Sequence, residues 1–263
     1  MAAQRQRITE TEDVPDDLRR LWRLQSGSRL GRPAELDVSR VLHAALRLAD
    51  REGLAGVTLP RVAKALGYTT MSLYRHVGSK EELLSLISDA AVGPAPAIAV
   101  PPRRWRAGLR EWTLAMRRVY ERRPWLARLP ISGPPVGPNQ IAWMEEALRL
   151  LRETGLGWAE KVGVLTLLAG YVRQTSLLVQ DLQPVRAARR EPLEQRYART
   201  LAALIDPERF PETAELLASG VFEAGAQATA DPASDPDFVF GLERILDGVA
   251  GAVKPRRTAK AGH

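Results

Sequence analysis

Residues 57–82 read VTLPRVAKALGYTTMSLYRHVGSKEE, and their punctuation specifies three short helices in quick succession. Thr58 is a good N-cap for a first helix running to Leu66, and Pro60 is tolerated because first-turn amides have no intrahelical partner. Gly67 supplies the positive-φ residue that a helix end and a tight turn both favour. A second helix is predicted from Thr70 to His76, and Ser79-Lys-Glu-Glu82 is a capping box that starts a third. Two short helices joined by a Gly-containing turn form a helix-turn-helix, whose second helix can enter the major groove of DNA.

The apolar positions fit that geometry. Val62 and Leu66 share one face of the first helix, Leu73 and Val77 one face of the second, and Ala63 is small enough for two helices to cross closely. Thr69, Thr70, Met71, Ser72, Tyr74, Arg75 and His76 remain on the outside. Small hydroxyls and a methyl-bearing chain suit base edges, whereas Tyr74, His76 and Lys80 suit phosphates. The candidate DNA-contacting set is therefore Thr58, Arg61, Thr69, Thr70, Met71, Ser72, Tyr74, His76 and Lys80. An ordinary helical hairpin within a larger bundle has the same outline.

The segment from Ala34 to Leu86 resembles the DNA-binding domain of TetR-family transcriptional regulators. The matching run is a helix with a small-residue face (Val41 to Arg51), Gly53-Leu-Ala-Gly-Val-Thr58, Val62-Ala63, Ala65-Leu66-Gly67, Leu73-Tyr74-Arg75-His76-Val77 and Ser79-Lys80-Glu81-Glu82-Leu83-Leu84. Several motifs agree in order and separation, over about a fifth of the chain. Val77 stands where the family usually has Phe, and Pro60 sits in the first turn. Neither departure touches a DNA-facing position.

Composition is compatible with a DNA reader. The 263-residue chain is 45% apolar and 26% charged, ordinary for a globular protein, and long enough for a small domain plus a larger one. Its net charge of +7 favours a polyanionic partner. Arg outnumbers Lys in a chain also rich in Ala, Gly and Pro, as a GC-rich genome would produce, so charge is supporting evidence only. With no cysteine, disulfides and thiolate metal sites are excluded. No uninterrupted apolar run reaches the roughly 18 residues of a membrane span, and no signal-like core opens the chain. A cytoplasmic location without membrane partner is expected.

Residues 1–31 form an extension in which Leu18, Leu21 and Trp22 recur at helical spacing, a short helix on its own domain or a partly disordered one. Its Arg29-Leu-Gly-Arg-Pro33 is a basic arm that can also lie along a DNA backbone or minor groove. The helix-turn-helix domain is expected over 32–92, with Leu36 to Gly53 as its supporting helix, Asp37 as cap, and Lys80 to Ala91 as connecting helix. Gly93-Pro-Ala-Pro-Ala-Ile-Ala-Val-Pro-Pro102 then breaks any helix.

A second domain is expected over 103–253. Helices are predicted for Arg103 to Arg123, Gln140 to Thr154 capped by Asn139, Gly157 to Gln180 buried on more than one side, Glu191 to Leu204, Pro211 to Phe222 and Asp237 to Val253. The basic residues 254–263 read as a disordered tail. No strand pattern emerges, and the expected class is all-α: an N-terminal three-helix DNA-binding domain followed by a larger helical one.

The resemblance implies that the second domain dimerises and encloses a small molecule. Val164 to Val179 and the last helix, with Phe238, Phe240, Leu242, Ile245, Leu246 and Val249, carry more apolar surface than one chain easily hides, although core packing is the plainer account of both. Trp112, Met116, Trp125, Trp143, Met144, Tyr171, Gln174 and Leu178 combine apolar bulk with a few polar tips, the lining of a pocket for an apolar or aromatic ligand. The same Trp and Met residues serve equally as plain core. The expected function is a homodimeric, sequence-specific repressor, released from an inverted-repeat operator on double-stranded DNA by that effector. A non-specific nucleic-acid binder and a helical protein-interaction module are the alternatives. The three His residues are scattered, and no zinc-protease, phosphate-loop or nucleophile motif occurs. Hence no enzyme activity, cofactor, metal or catalytic residue is expected.

Overall fold

The computed structural model describes residues 14–22, 37–187, 192–222 and 235–253, and among them every regular element is helical. The basic arm at 29–33 and the tail from 254 lie outside these residues. The first elements are α1 (Asp16–Leu21), α2 (Val38–Glu52), α3 (Leu59–Leu66), α4 (Thr70–Tyr74) and α5 (Lys80–Val92). There follow α6 (Trp105–Arg122), a 3-10 turn (Pro124–Arg128), α7 (Pro138–Leu150), α8 (Trp158–Ala187), α9 (Leu193–Ala202), α10 (Pro211–Ala218) and α11 (Pro236–Ala252).

Local chemistry sets the start of each N-terminal helix. The Asp37 carboxylate accepts from the Arg40 amide at 2.7 Å, Thr58 from Arg61 at 3.4 Å, Thr69 from Ser72 at 3.3 Å and Ser79 from Glu82 at 3.1 Å. Each such cap stabilises its helix by about 1 kcal/mol. Gly67, at φ 76°, ends α3 in the left-handed conformation that a side chain would resist. Val41 and Ala45 of α2, Val62 of α3, Leu73 and Val77 around α4, and Leu83 and Ile87 of α5 are completely buried. Full burial of such a Leu, Ile or Val side chain contributes about 1.5–3 kcal/mol, which explains why three short helices hold together.

α4 is shorter than the sequence suggests. The amides of His76 and Val77 both bond the Leu73 carbonyl, at 2.8 and 2.9 Å, and this closing turn delivers Val77 to the core.

In the C-terminal layer, α6 packs along α8 and also meets α7 and α11. The core there joins Leu109 and Trp112 of α6, Leu150 of α7, Leu168 and Val172 of α8, and Leu242 and Leu246 of α11. Two expectations need correction. α8 is not buried on several sides: Val164, Leu168 and Val172 form one buried stripe, while Val162, Leu167, Leu178 and Val179 face solvent. Its residues Trp158–Val185 are also long and apolar enough, by length and composition, to cross a membrane, with a mean hydropathy of 1.4 over their most apolar 18 residues. A search for uninterrupted apolar runs misses this because polar residues punctuate the segment.

The two layers are joined by polar contacts as well as by chain. Asp50 of α2 accepts from the Trp125 indole at 2.8 Å and from Arg123 Nε at 3.2 Å, and Arg123 Nη1 also donates to the Ala91 carbonyl at 2.9 Å. The buried Asp89 of α5 accepts from Asn139 Nδ2 at 2.9 Å and from the Gln140 amide at 3.0 Å. Asn139 is therefore not the cap of α7. That helix starts after Gly137, and Asp89 reaches across from the other layer to cap it. Gly137 leaves the necessary room: a Cβ there would lie 2.2 Å from Asp89 Oδ1.

Candidate nucleic-acid interface and effector region

The helix-turn-helix divides its side chains cleanly. With Leu73 and Val77 fully buried, Met71 stands 74% exposed and Tyr74 47% exposed, beside exposed Thr69, Arg75 and Lys80 and half-buried Thr70, Ser72 and His76. Thr69 and Ser72 are partly committed to each other, with their hydroxyls 3.0 Å apart as part of the α4 cap. Thr58 likewise serves as the α3 cap. Arg61 is exposed but ion-paired with Glu52, whose carboxyl lies below its ordinary range because Arg51 and Arg61 both donate to it. Thr70, Met71, Tyr74 and Lys80 are thus the freest to reach outward. Arg75, outside the candidate set, is exposed on the same short turn.

The expected pocket residues do not form one lining. Trp112 and Trp143 are buried edge-to-face, with ring centroids 5.8 Å apart. Their N–H groups donate to the Trp143 and Gly93 carbonyls, each at 3.0 Å. Trp125 points the other way, to Asp50. Met116 packs half-buried on the core, and Met144 is half-buried on α7. Gln174 and Leu178 face solvent. Gln174 follows buried Val172 by two residues, about 200° around a helix of 3.6 residues per turn, hence on the far side.

Tyr171 belongs to a separate cluster between α6, α8 and α11. Its ring stacks on Phe238 at 5.0 Å and its hydroxyl donates to the Phe238 carbonyl at 3.0 Å. Burial, together with the negative charge of Asp235, raises the phenol above its usual range, so it stays a neutral donor at physiological pH. The Arg117 guanidinium lies 4.1 Å over the other ring, Phe238, and binds Asp235 at 2.7 Å. Although burial pushes the Asp235 carboxyl up, Arg117 and the Phe238 and Asp237 amides outweigh it and hold it low. Arg117 Nη1 is buried and has no hydrogen-bond partner among the described residues. Sequence reading missed this arginine, although its place three residues before Tyr120, on the inner side of α6, was the available signal. Elsewhere, a depression of about 140 Å³ is lined by Glu145, Leu148, Arg149, Arg152, Trp158 and Lys161; drug-sized sites run to about 300 Å³ and above.

Comparison with known proteins decides the family. Residues 41–87 match the family described as bacterial regulatory proteins, tetR family, and residues 99–253 match the tetracyclin repressor-like C-terminal domain. The chain belongs to the TetR family. It is 36% identical to the HTH-type transcriptional repressor DrrR1 of Streptomyces coeruleorubidus, over 96% of this chain and 93% of that one. The structure of the TetR-family protein ActR of Streptomyces coelicolor in complex with actinorhodin superposes with a TM-score of 0.68 at 28% identity, covering 84% of this chain and 99% of ActR. A tetracycline repressor of class E from Escherichia coli is 31% identical over 50% of this chain and 63% of its own length. As a TetR-family chain, the protein is a DNA-binding transcriptional regulator that binds a ligand.

Proposed function

We propose that the protein is a cytoplasmic, homodimeric repressor that binds an inverted-repeat operator through α4 and is released by an apolar or aromatic small molecule. The observation that carries the reading is the sorting on α4. Leu73 is locked in the core while Met71 and Tyr74 of the same five-residue helix are exposed and Thr70 is half-buried at its first position. Thr70 and Met71 then read base edges, and Tyr74 and Lys80 hold phosphates, with His76, Ser72, Thr69, Thr58 and Arg61 bordering the contact.

Dimerisation is supported by the exposed Leu167 and Leu178, which share one side of α8, and by Phe240 of α11, 66% exposed. Two recognition helices must reach half-sites about 34 Å apart, and a symmetric pair of chains supplies them. The ligand reading rests on the Arg117, Tyr171 and Phe238 cluster, with Met116 and Tyr120 of α6 close by in sequence. An aromatic ring and an unsatisfied guanidinium NH2 group suit a flat molecule bearing an oxygen acceptor. DrrR1 is a repressor, and ActR is solved with actinorhodin. Both relatives support the same direction here.

Coupling between the sites needs an element with a foot in each layer. α5 contributes Leu83 and Ile87 to the DNA-binding core and Asp89 to the start of α7. Ligand binding that shifts α7 or α8 then alters the spacing of the paired α4 helices, and ligand and operator must weaken each other by the same factor. The test is a titration of polycyclic aromatic compounds against the operator complex. Release of DNA, together with loss of that response in Arg117→Met, is expected. Insensitivity of the complex to every aromatic compound, with release only by strongly charged solutes, would contradict the ligand assignment.

A further inference from the structure

The regulator reading leaves α1 without a role. At six residues it is too short to be stable alone, so its contacts define it. Leu21 is buried against the core, and Arg20 forks onto the carboxylate of Glu82, with Nη2 2.9 Å from Oε2 and Nε bonded to Oε1. Glu82 is itself buried, and the same Oε2 accepts the Gly78 amide at 2.8 Å. Gly78 lies in the turn that leads from α4 into α5. One residue beyond α1, the Trp22 indole donates to the Val136 carbonyl at 2.8 Å, just ahead of the Gly137–Gln140 segment that docks on Asp89.

We propose that α1 is a strap on the DNA reader and that Arg20 is a positioning residue for operator binding, acting through Glu82 on the turn behind the recognition helix. The inference rests on the regulator reading. A carboxylate held from one side by a guanidinium fork and from the other by a backbone amide has a single orientation. Without Arg20, Glu82 faces a buried position with its charge unmatched and turns toward water, which frees the Gly78 amide and loosens α4 relative to α5. The Trp22 bond fixes the far end of the strap to the C-terminal layer, so the turn behind α4 is tied to that layer by a second path beside α5. The Nε–Nη2 edge of the Arg20 guanidinium is spent on Glu82, and the salt slope of binding separates this positioning role from a phosphate contact made by the Nη1 side.

The experiment measures affinity of the full-length protein for a duplex selected by the wild type, over a range of salt concentrations, together with amide exchange at Gly78. Arg20→Gln is expected to weaken binding about tenfold, the worth of one charge-assisted hydrogen bond. The dependence on salt should be unchanged, and Gly78 should exchange faster while Val62 and Leu83 stay protected. Arg20→Lys, which keeps the charge but not the fork, should recover only part of the affinity. Affinity within twofold of wild type would overturn the proposal. So would a salt slope reduced by about 0.9, which marks one phosphate no longer neutralised, or exchange accelerated throughout the domain, which marks general destabilisation. A wild type that selects no common duplex overturns the regulator reading first, before any variant is compared, and this inference goes with it.

Discussion

Thr70 and Met71 occupy the first turn of α4, Tyr74 its last position, and Lys80 the first turn of α5. That placement separates two kinds of interaction with DNA. Replacing Tyr74 or Lys80 with alanine should weaken binding to all duplexes alike, because phosphate contacts position a protein without specifying sequence. Substituting Thr70 or Met71 should instead change which bases are preferred, by about 1–3 kcal/mol for each good base-edge interaction removed. Competition assays with operator and unrelated duplexes distinguish the two patterns; a Tyr74→Ala protein of undiminished affinity would show that the outward face has been misassigned. Residue-scale features in this region are legible in the sequence because they are local. Thr58, Thr69 and Ser79 cap helices through atoms three positions away. Gln174 is not legible in the same way: α8 is apolar on several faces, so its sequence alone does not tell which side the core takes.

Between elements, the decisive interactions are made by acids that cross from one layer to the other. Asp89 caps α7 from α5, and Asp50 receives Trp125 and Arg123 from the turn after α6. Neither pairing has a signature in sequence, since Gln140 lies 51 positions from Asp89 and Trp125 lies 75 from Asp50. Asn139 has the residue type of a cap, yet the structure gives that task to Asp89 from a distance. Gly137→Ala tests the clamp at the scale of the element. Its Cβ would collide with the Asp89 carboxylate, so α7 must shift away from α5. The expected result is a protein that still binds operator but responds several-fold less to ligand, measured as the shift in operator affinity at saturating effector. An unchanged response would remove the α5–α7 junction from the coupling route.

At the scale of the whole molecule, the all-α plan of a small N-terminal reader and a larger C-terminal bundle is legible from the order of motifs and the lack of strand pattern. The placement of the tryptophans is not. Burying an indole requires a partner for its N–H, and here Trp112, Trp125 and Trp143 find theirs in Trp143, Asp50 and Gly93. They serve as structural joints, so Trp112→Ala is a cavity mutation costing about 3–5 kcal/mol and a poor probe of ligand. The exposed apolar residues of α8 have the opposite character. Leu167 is 59% exposed, so Leu167→Glu should leave the single chain folded, with an unfolding temperature that no longer depends on protein concentration, yet halve the mass seen by light scattering and remove tight operator binding. A Leu167→Glu protein that remains a dimer would place the seam elsewhere.

The most direct measurement is selection of genomic DNA fragments by the purified protein at near-physiological salt, followed by footprinting of the enriched sequence. One inverted repeat is expected, protected as a unit, with preferred bases that change when Thr70 or Met71 is substituted. Enrichment without a shared motif, fading uniformly as salt rises, would contradict it and leave a basic helical protein that binds nucleic acid without reading it.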